Sequence, residues 1–292
     1  MIFKLEPLFF DKVWGGNKIR NNYHYNCSDH TGEAWGISAH KNGSSVIVNG
    51  VYKGKTLREL YASNKELFGY YKNDEFPILI KIIDATDDLS IQVHPTDEYA
   101  RIYENSSGKT ECWYILDAEK DASIVIGHHA KTLDEIKKSI QGNTIESLLN
   151  KFPIKKGDQF NIYSGTIHAI CKGTLLLEIQ QSSDITYRLY DYNRLSNGKL
   201  RKLHIEKALD VIKIPDNKLS QIQPKDLFDY RIVQSTNKTI KTSNSYGDYI
   251  FILNGKGSFN NLDVKKGDFI FASANTEYNI TGDIEYFLAS IK

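Results

Sequence analysis

A mainly β fold, closed into a small barrel and carrying few helices, is what three features of this 292-residue sequence predict. Aromatic residues make up 12% of the chain, with 18 Tyr among them, a composition suited to pleated, half-buried surfaces rather than to a helical bundle. Apolar and β-branched runs are short, and turns rich in Gly, Asn and Asp separate them, as in a sandwich or barrel rather than in βαβ units. One turn-and-strand segment, finally, occurs twice.

Strands are expected over 45–48, 76–83, 90–94, 112–116, 123–126, 174–179 and 186–190. Helices are expected in three places. Thr56-Leu57-Arg58-Glu59 and Thr132-Leu133-Asp134-Glu135 each set a hydroxyl and, three residues on, a carboxylate, the pattern that satisfies the free N–H groups at a helix start. Over 204–212, Ile205, Ala208, Leu209 and Ile212 fall on one helical face.

The repeat pairs KKGDQFNIYSGTIH (155–168) with KKGDFIFASANTEY (265–278), without gaps, and ECWYIL (111–116) with DYIFIL (248–253). Two related β units are expected, a first over residues 1–215 and a smaller one over 216–292. In the second, Tyr278 stands at the position of His168 and Asp248 at that of Glu111. That copy keeps the frame and lacks the metal ligands, so packing rather than chemistry is its expected role.

Composition excludes several function classes. With 37 basic and 36 acidic residues the net charge is +1, which gives nucleic acid no general electrostatic footprint. Three cysteines without a CxxC pair make neither a disulfide framework nor a thiolate zinc site, and fit a reducing compartment. Lys4, Glu6 and Asp11 interrupt the first apolar residues, so no signal peptide is read there. No apolar stretch approaches the roughly 18 residues of a membrane span. A cytoplasmic protein, without nucleic-acid or membrane partners, is expected; the oligomeric state is left open.

A metal site emerges from side-chain parity. Gln92 and His94 are two apart in a strand-like run, so they share a face with Ser90. Lys109 and Glu111 share another, and His168 closes the Gly-Asp turn and strand. Gln92, His94, Glu111 and His168 together supply nitrogen and oxygen ligands suited to zinc, iron or manganese in an open site, not to a closed thiolate site. Gly157, Tyr163, Ser164, Gly165 and His168 have the spacing of the second cupin motif, with Tyr163 where Pro is usual. Gln92-Val93-His94 stands where the first motif has two histidines, and Glu111 lies 17 residues after His94, so a longer loop must connect them. The fold expected is therefore a cupin (double-stranded β-helix, jelly-roll) barrel with a smaller, degenerate cupin-like β domain at the C-terminus. His24, His30, His40, His128 and His129 are read as surface or supporting residues, and His204 as structural.

Four blocks in order, SIQVHPTDEYA (90–100), GKTECWYIL (108–116), GTIHAI (165–170) and LEIQQSSDITYRLYDYNR (177–194), resemble the signature segments of type I phosphomannose isomerases. WGG (14–16) and GEAWGIS (32–38) fit the same family. The resemblance implies interconversion of mannose 6-phosphate and fructose 6-phosphate with one zinc ion per chain, held by Gln92, His94, Glu111 and His168. It implies an essential arginine at Arg188 and substrate contacts at Lys81, Ser90, Lys109 and Glu178. Only 57 residues separate Glu111 from His168, too few for the helical insertion of longer members, so this resembles the short bacterial form.

The residues suit that chemistry. An aldose–ketose isomerisation through a cis-enediol needs an electrophile, a base near C1 and C2, and a grip on phosphate. Lys81 interrupts Ile78, Leu79, Ile80, Ile82 and Ile83, which is costly unless the lysine is paired, serves a ligand or faces water from an edge strand. Arg188 alternates with Thr186 and Tyr190 and can grip phosphate or sit over the reacting carbons. Glu178, in an apolar strand, invites a raised pKa, or pairing with Arg188 or Lys109. The base is left among Glu178, Lys109 and a zinc-bound hydroxide. Alternative readings are another cupin metalloenzyme (an epimerase or dioxygenase) and a non-enzymatic sugar-binding cupin.

Overall fold

The protein, a computed structural model described over residues 1–196, 198–216, 226–236 and 238–292, is mainly β. Two antiparallel sheets build the part that carries the site. One has six strands in the order Gln159–Ile162, Glu111–Ala118, Thr174–Gln181, Ile78–Ala85, Thr31–Ile37 and Leu8–Gly16. The other has five, in the order Leu149–Pro153, Ser123–His128, His168–Ile170, Ile91–Val93 and Tyr187–Tyr190. Trp14, Ile83, Trp113, Ile115 and Leu176 of the first sheet meet Ile124, Ile126 and Ile170 of the second in one apolar cluster, as the halves of a jelly roll do.

The six-stranded sheet is covered on both faces, and this explains its near-continuous apolar runs. Ile83 faces the jelly-roll interior, whereas Ile78, Ile80 and Ile82 face a second cluster with Tyr249, Phe251, Phe269 and Phe271. Period-two alternation sends odd residues one way and even ones the other, so Lys81 points inward with Ile83. Its strand is flanked by Thr174–Gln181 and Thr31–Ile37, so it is no edge strand.

The C-terminal strands Phe228–Ser235, Asp248–Phe259, Phe269–Ala272 and Glu277–Ile291 form a further sheet, which also takes in Ile2–Glu6 and Val46–Ile47. The two repeated segments make one turn twice. Lys155 N donates to Asp158 Oδ2 at 2.9 Å and Lys265 N to Asp268 Oδ2 at 2.8 Å. Gly157 N donates to Ile115 O, as Gly267 N does to Ile252 O. Both glycines have φ above +90°, a conformation that costs little only without a Cβ. In the second copy, Tyr278 Oη donates to Asp248 Oδ2 at 2.8 Å, and both residues are buried.

Helices form at the three expected places. Leu57–Ser63 has a complete capping box between Thr56 and Glu59. Leu133–Gln141 is capped by Thr132, although Glu135 reaches back to Lys131 N instead. Ile205–Val211 is the third. Two more helices, Lys18–Tyr23 and Asp97–Tyr103, were not anticipated; Thr96 caps the latter, but the residue three on is Tyr99, so no box is visible. The Asp97–Tyr103 helix fills the long connection between His94 and Glu111. Asp97 Oδ1 accepts from Gly108 N at 2.8 Å, and Lys109 N donates to Pro95 O at 3.1 Å, which returns the chain to the site. Among the described residues no helix is long and apolar enough to cross a membrane.

Phe271 ties the C-terminal strands to the rest: its ring lies 5.5 Å from that of Phe3, 4.7 Å from Phe68 and 5.1 Å from Tyr249, all stacked. Phe271→Ala should cost about 3–5 kcal/mol of unfolding free energy, measured by urea denaturation. A loss under about 1 kcal/mol would mean that this aromatic stack does not hold the sheet in place.

Candidate active site

Strand register brings the chemistry-bearing residues together. His168 pairs directly with Gln92, and Arg188 is Gln92's partner on the other side. Glu111 opens its strand in the opposing sheet, next to Gln180 of the strand that carries Glu178. Glu178 in turn faces Lys81. A bulge between Arg188 and Tyr190 breaks the simple alternation, so Arg188 and Thr186 line a cavity while Tyr190 packs into an apolar cluster.

His94, Glu111 and His168 are buried, and their ligand atoms converge. His168 Nε2 lies 3.1 Å from His94 Nε2 and 3.6 Å from Glu111 Oε1, and His94 Nε2 lies 3.4 Å from Glu111 Oε2. A tetrahedral ion with bonds of about 2.0–2.1 Å separates its ligand atoms by about 3.3–3.4 Å, so the trio has the dimensions of a metal site. The electronics agree. His168 Nδ1 donates to Thr166 O at 2.9 Å, which leaves the lone pair on Nε2. No donor meets either Glu111 oxygen in hydrogen-bond geometry among the described residues, although Lys109 Nζ lies 2.9 Å from Oε2. Two imidazole nitrogens and two carboxylate oxygens thus surround one point, an arrangement that a cation relieves. Gln92 Nε2 is 3.2 Å from His168 Nε2, and Gln92 Oε1 accepts from Ser90 Oγ at 3.2 Å.

Burial lowers the pKa of both imidazoles, that of His94 to about 3, so both are neutral and able to coordinate at physiological pH. Glu111 is held well below the carboxylate range: burial opposes this, but Lys109 and His94 outweigh it. Glu178 goes the other way, raised by burial and by the charge of Glu111. Its Oε2 accepts from Trp113 Nε1 at 2.8 Å, and its Oε1 lies 3.1 Å from Lys81 Nζ and 3.9 Å from Lys109 Nζ. Glu178 therefore pairs first with Lys81 rather than with Arg188. Lys109 also reaches His94 Nε2 at 3.0 Å.

A cavity of about 300 Å³ adjoins a pocket of about 90 Å³; Lys12, Glu33, Lys81, Lys109, Thr186 and Arg188 line both. Ser90, Gln92, Glu178 and Arg201 line the smaller one. The combined wall is rich in cations.

The catalytic-domain model of type I phosphomannose isomerase matches residues 2–127. Mannose-6-phosphate isomerase ManA of Bacillus subtilis is 51% identical over 217 residues, 72% of this chain and 69% of that protein. The chain belongs to the type I phosphomannose isomerase family. Mannose-6-phosphate isomerase of Streptococcus mutans is likewise 51% identical over 216 residues, 72% of this chain and 68% of that one. The crystal structure of mannose 6-phosphate isomerase from Bacillus subtilis superposes with a TM-score of 0.92 at 38% identity, covering 99% of each chain. Type I phosphomannose isomerases are metalloenzymes, and this member is an isomerase whose buried trio can hold a metal ion.

Reasoning from the sequence missed Lys12, Glu33, Trp35 and Arg201. Glu33 accepts from Trp35 Nε1 at 3.0 Å and lies 3.3 Å from Lys12 Nζ and 3.5 Å from Lys81 Nζ. These lysines overcome its burial and bring its pKa down to about 2. The parity of Glu33 and Trp35 within GEAWGIS was a usable signal; Arg201 offered none. His128, expected in a turn as a surface or supporting residue, is buried at a strand end with Nε2 3.0 Å from Lys213 O.

If the trio is the metal centre, the purified isomerase should carry about one divalent transition metal per chain by mass spectrometry, and Glu111→Gln or His168→Ala at most about a tenth of that. Full metal content in either variant would place the metal elsewhere.

Proposed function

We propose that this protein interconverts mannose 6-phosphate and fructose 6-phosphate and holds one zinc ion through Gln92, His94, Glu111 and His168. The observation that carries the reading is a buried trio of two imidazoles and a carboxylate, in a chain of this family, whose neighbours Gln92 and Lys109 line a cation-rich cavity. The ligand chemistry of the trio, two neutral imidazoles and one carboxylate, suits zinc and leaves the site net positive. Ligation by Gln92 uses its amide oxygen, so its side chain turns over from the orientation in which Oε1 faces Ser90. When bound, zinc supplies a Lewis acid beside the sugar oxygens.

The chain's own residues supply the rest. Glu178 carries the proton between C1 and C2 through a cis-enediol: it lines the smaller pocket, its pKa is raised, and Lys81 and Trp113 fix its orientation. Lys109 stabilises the charge that develops on the sugar oxygens, since its ammonium stands between His94 and Glu111 and lines the cavity. Lys81, Ser90, Lys109 and Arg188 bind the substrate, and the cationic wall favours a phosphorylated sugar over the substrates of other cupin enzymes. We assign residues 1–215 to catalysis and 216–292 to packing, where the Tyr278–Asp248 hydrogen bond takes the place of a ligand pair. A cytoplasmic location accords with the free cysteines and with hexose-phosphate metabolism.

Chelation should abolish conversion of mannose 6-phosphate, and added zinc should restore it; activity indifferent to both would sink the proposal. Arg188→Ala should lower kcat/KM more than about tenfold, roughly 1.4 kcal/mol. In D2O, repeated turnover should place deuterium at C2 of mannose 6-phosphate. Product free of deuterium after many turnovers would indicate hydride transfer and remove the proton-carrying role of Glu178.

A further inference from the structure

Past the strand Tyr187–Tyr190 the chain folds back, so that Arg201 meets Asp191. Arg201 Nε lies 2.7 Å from Asp191 Oδ2 and Nη2 lies 2.7 Å from Oδ1, a bidentate fork that fixes the plane of the guanidinium. Asp191 is itself buried and held from a second side. Arg194 Nη2 lies 3.1 Å from its Oδ1, and the same nitrogen donates to Asp88 O at 2.6 Å. Arg194 also pairs with exposed Asp87 at 3.1 Å, which anchors the assembly at the surface. The fork engages two of the five N–H groups of Arg201 and leaves the others available. This orientation is built, since a surface arginine has no such brace.

Arg201 lines the 90 Å³ pocket together with Ser90, Gln92, Glu178 and Arg188. Arg188 is partly buried, its Nε has no hydrogen-bond partner, and among the described residues no carboxylate lies within 4.0 Å of it. Burial, and then the charge of Arg201, lower the pKa of Arg188, so the two guanidinium groups feel each other. Like charges lining one half-buried pocket, with Asp191 shared between Arg201 and Arg194 and no carboxylate paired with Arg188 among the described residues, are costly unless an anion joins them. The lysines of the site differ. Lys81 has Glu178 and Glu33, and Lys109 has Glu111, so their charges are already matched.

We infer that Arg201, positioned by Asp191, is a substrate-binding residue that seats the phosphate of the sugar phosphate together with Arg188. The identity of the ligand rests on the isomerase reading above, whereas the anion seat rests on the geometry alone. Two guanidinium groups against a phosphate dianion supply planar, multidentate, charge-assisted hydrogen bonds that a lysine cannot reproduce. The sugar carbons then point toward Glu178 and Gln92, which share the pocket. Asp191 acts through Arg201 and is a positioning residue.

The test separates anion binding from turnover. Inorganic phosphate is titrated into metal-loaded enzyme by calorimetry, and KM and kcat for mannose 6-phosphate and inhibition by mannitol are measured alongside. Arg201→Gln should weaken phosphate binding on the order of tenfold and raise KM by a similar factor, with a smaller change in kcat. Inhibition by the neutral polyol should not weaken with it. Asp191→Asn should shift phosphate affinity and KM in the same direction by a smaller factor, because the fork loses its charge but not its shape. Phosphate affinity within twofold of wild type in Arg201→Gln, parallel weakening of polyol and phosphate, or no phosphate binding by wild type would overturn the inference. Should Arg201→Gln not fold, Arg201→Lys keeps the charge and loses the fork; unchanged phosphate affinity there overturns it as well. Phosphate binding that depends on Arg201 in an enzyme inactive on mannose 6-phosphate would refute the isomerase reading and leave the anion seat standing.

Discussion

Glu111 is a fully buried carboxylate that, among the described residues, has no hydrogen bond of good geometry, so its charge must be met by something else. Lys109 and the two imidazoles meet it, and the rest of the site follows from that arrangement. An uncompensated charge at such depth costs several kcal/mol, so the groups around it are coupled rather than individually chosen. Its negative charge helps raise the pKa of Glu178, which then needs Lys81, and Lys81 in turn brings in Glu33 and Lys12. One buried carboxylate thereby organises an array of charges across five adjacent strands.

That array needs a rigid frame, and the covering of the six-stranded sheet on both faces provides one. Lys81, Glu111 and Glu178 are inward residues of strands whose alternate residues are locked into aromatic packing from the C-terminal strands. Rotation or slippage of any of these strands would bury a charge on the aromatic side, so register and charge placement reinforce each other. The C-terminal strands bring Tyr249, Phe251, Phe269 and Phe271 against this sheet. Their own counterpart of the ligand pair is a buried hydrogen bond between Tyr278 and Asp248, satisfied without a metal.

The cavity divides its cations by partner. Lys81 and Lys109 have buried carboxylates, whereas among the described residues Arg188 has none within 4.0 Å and Arg201 shares its carboxylate with Arg194. The paired lysines hold each other's carboxylates in place, while Arg188 faces the pocket without such a pair. This division explains how a chain with a net charge of +1 presents a strongly cationic pocket. Local placement, not composition, sets the field that a phosphorylated substrate meets.

The sequence by itself determined what depends on nearest neighbours along the chain. Residues two apart in a strand must share a face, so the pairing of Ser90 with Gln92 and of Lys109 with Glu111 was legible from spacing alone. Capping hydroxyls announced helices at Thr56 and Thr132, and the repeated KKGD turn announced two matching turns. The helix Asp97–Tyr103 was not legible, because its cap lacks the carboxylate three residues on. Tertiary structure alone decided which charges meet. Lys81 finding Glu178 and Glu33, and Arg201 folding back onto Asp191, depend on strand order and on a turn of the chain, and neither leaves a periodic mark in the residues. The same holds for Ile2–Glu6 in the C-terminal sheet, where pairing joins residues some 270 positions apart. Periodicity records the direction of a side chain; only closure of the fold supplies the atom that it faces.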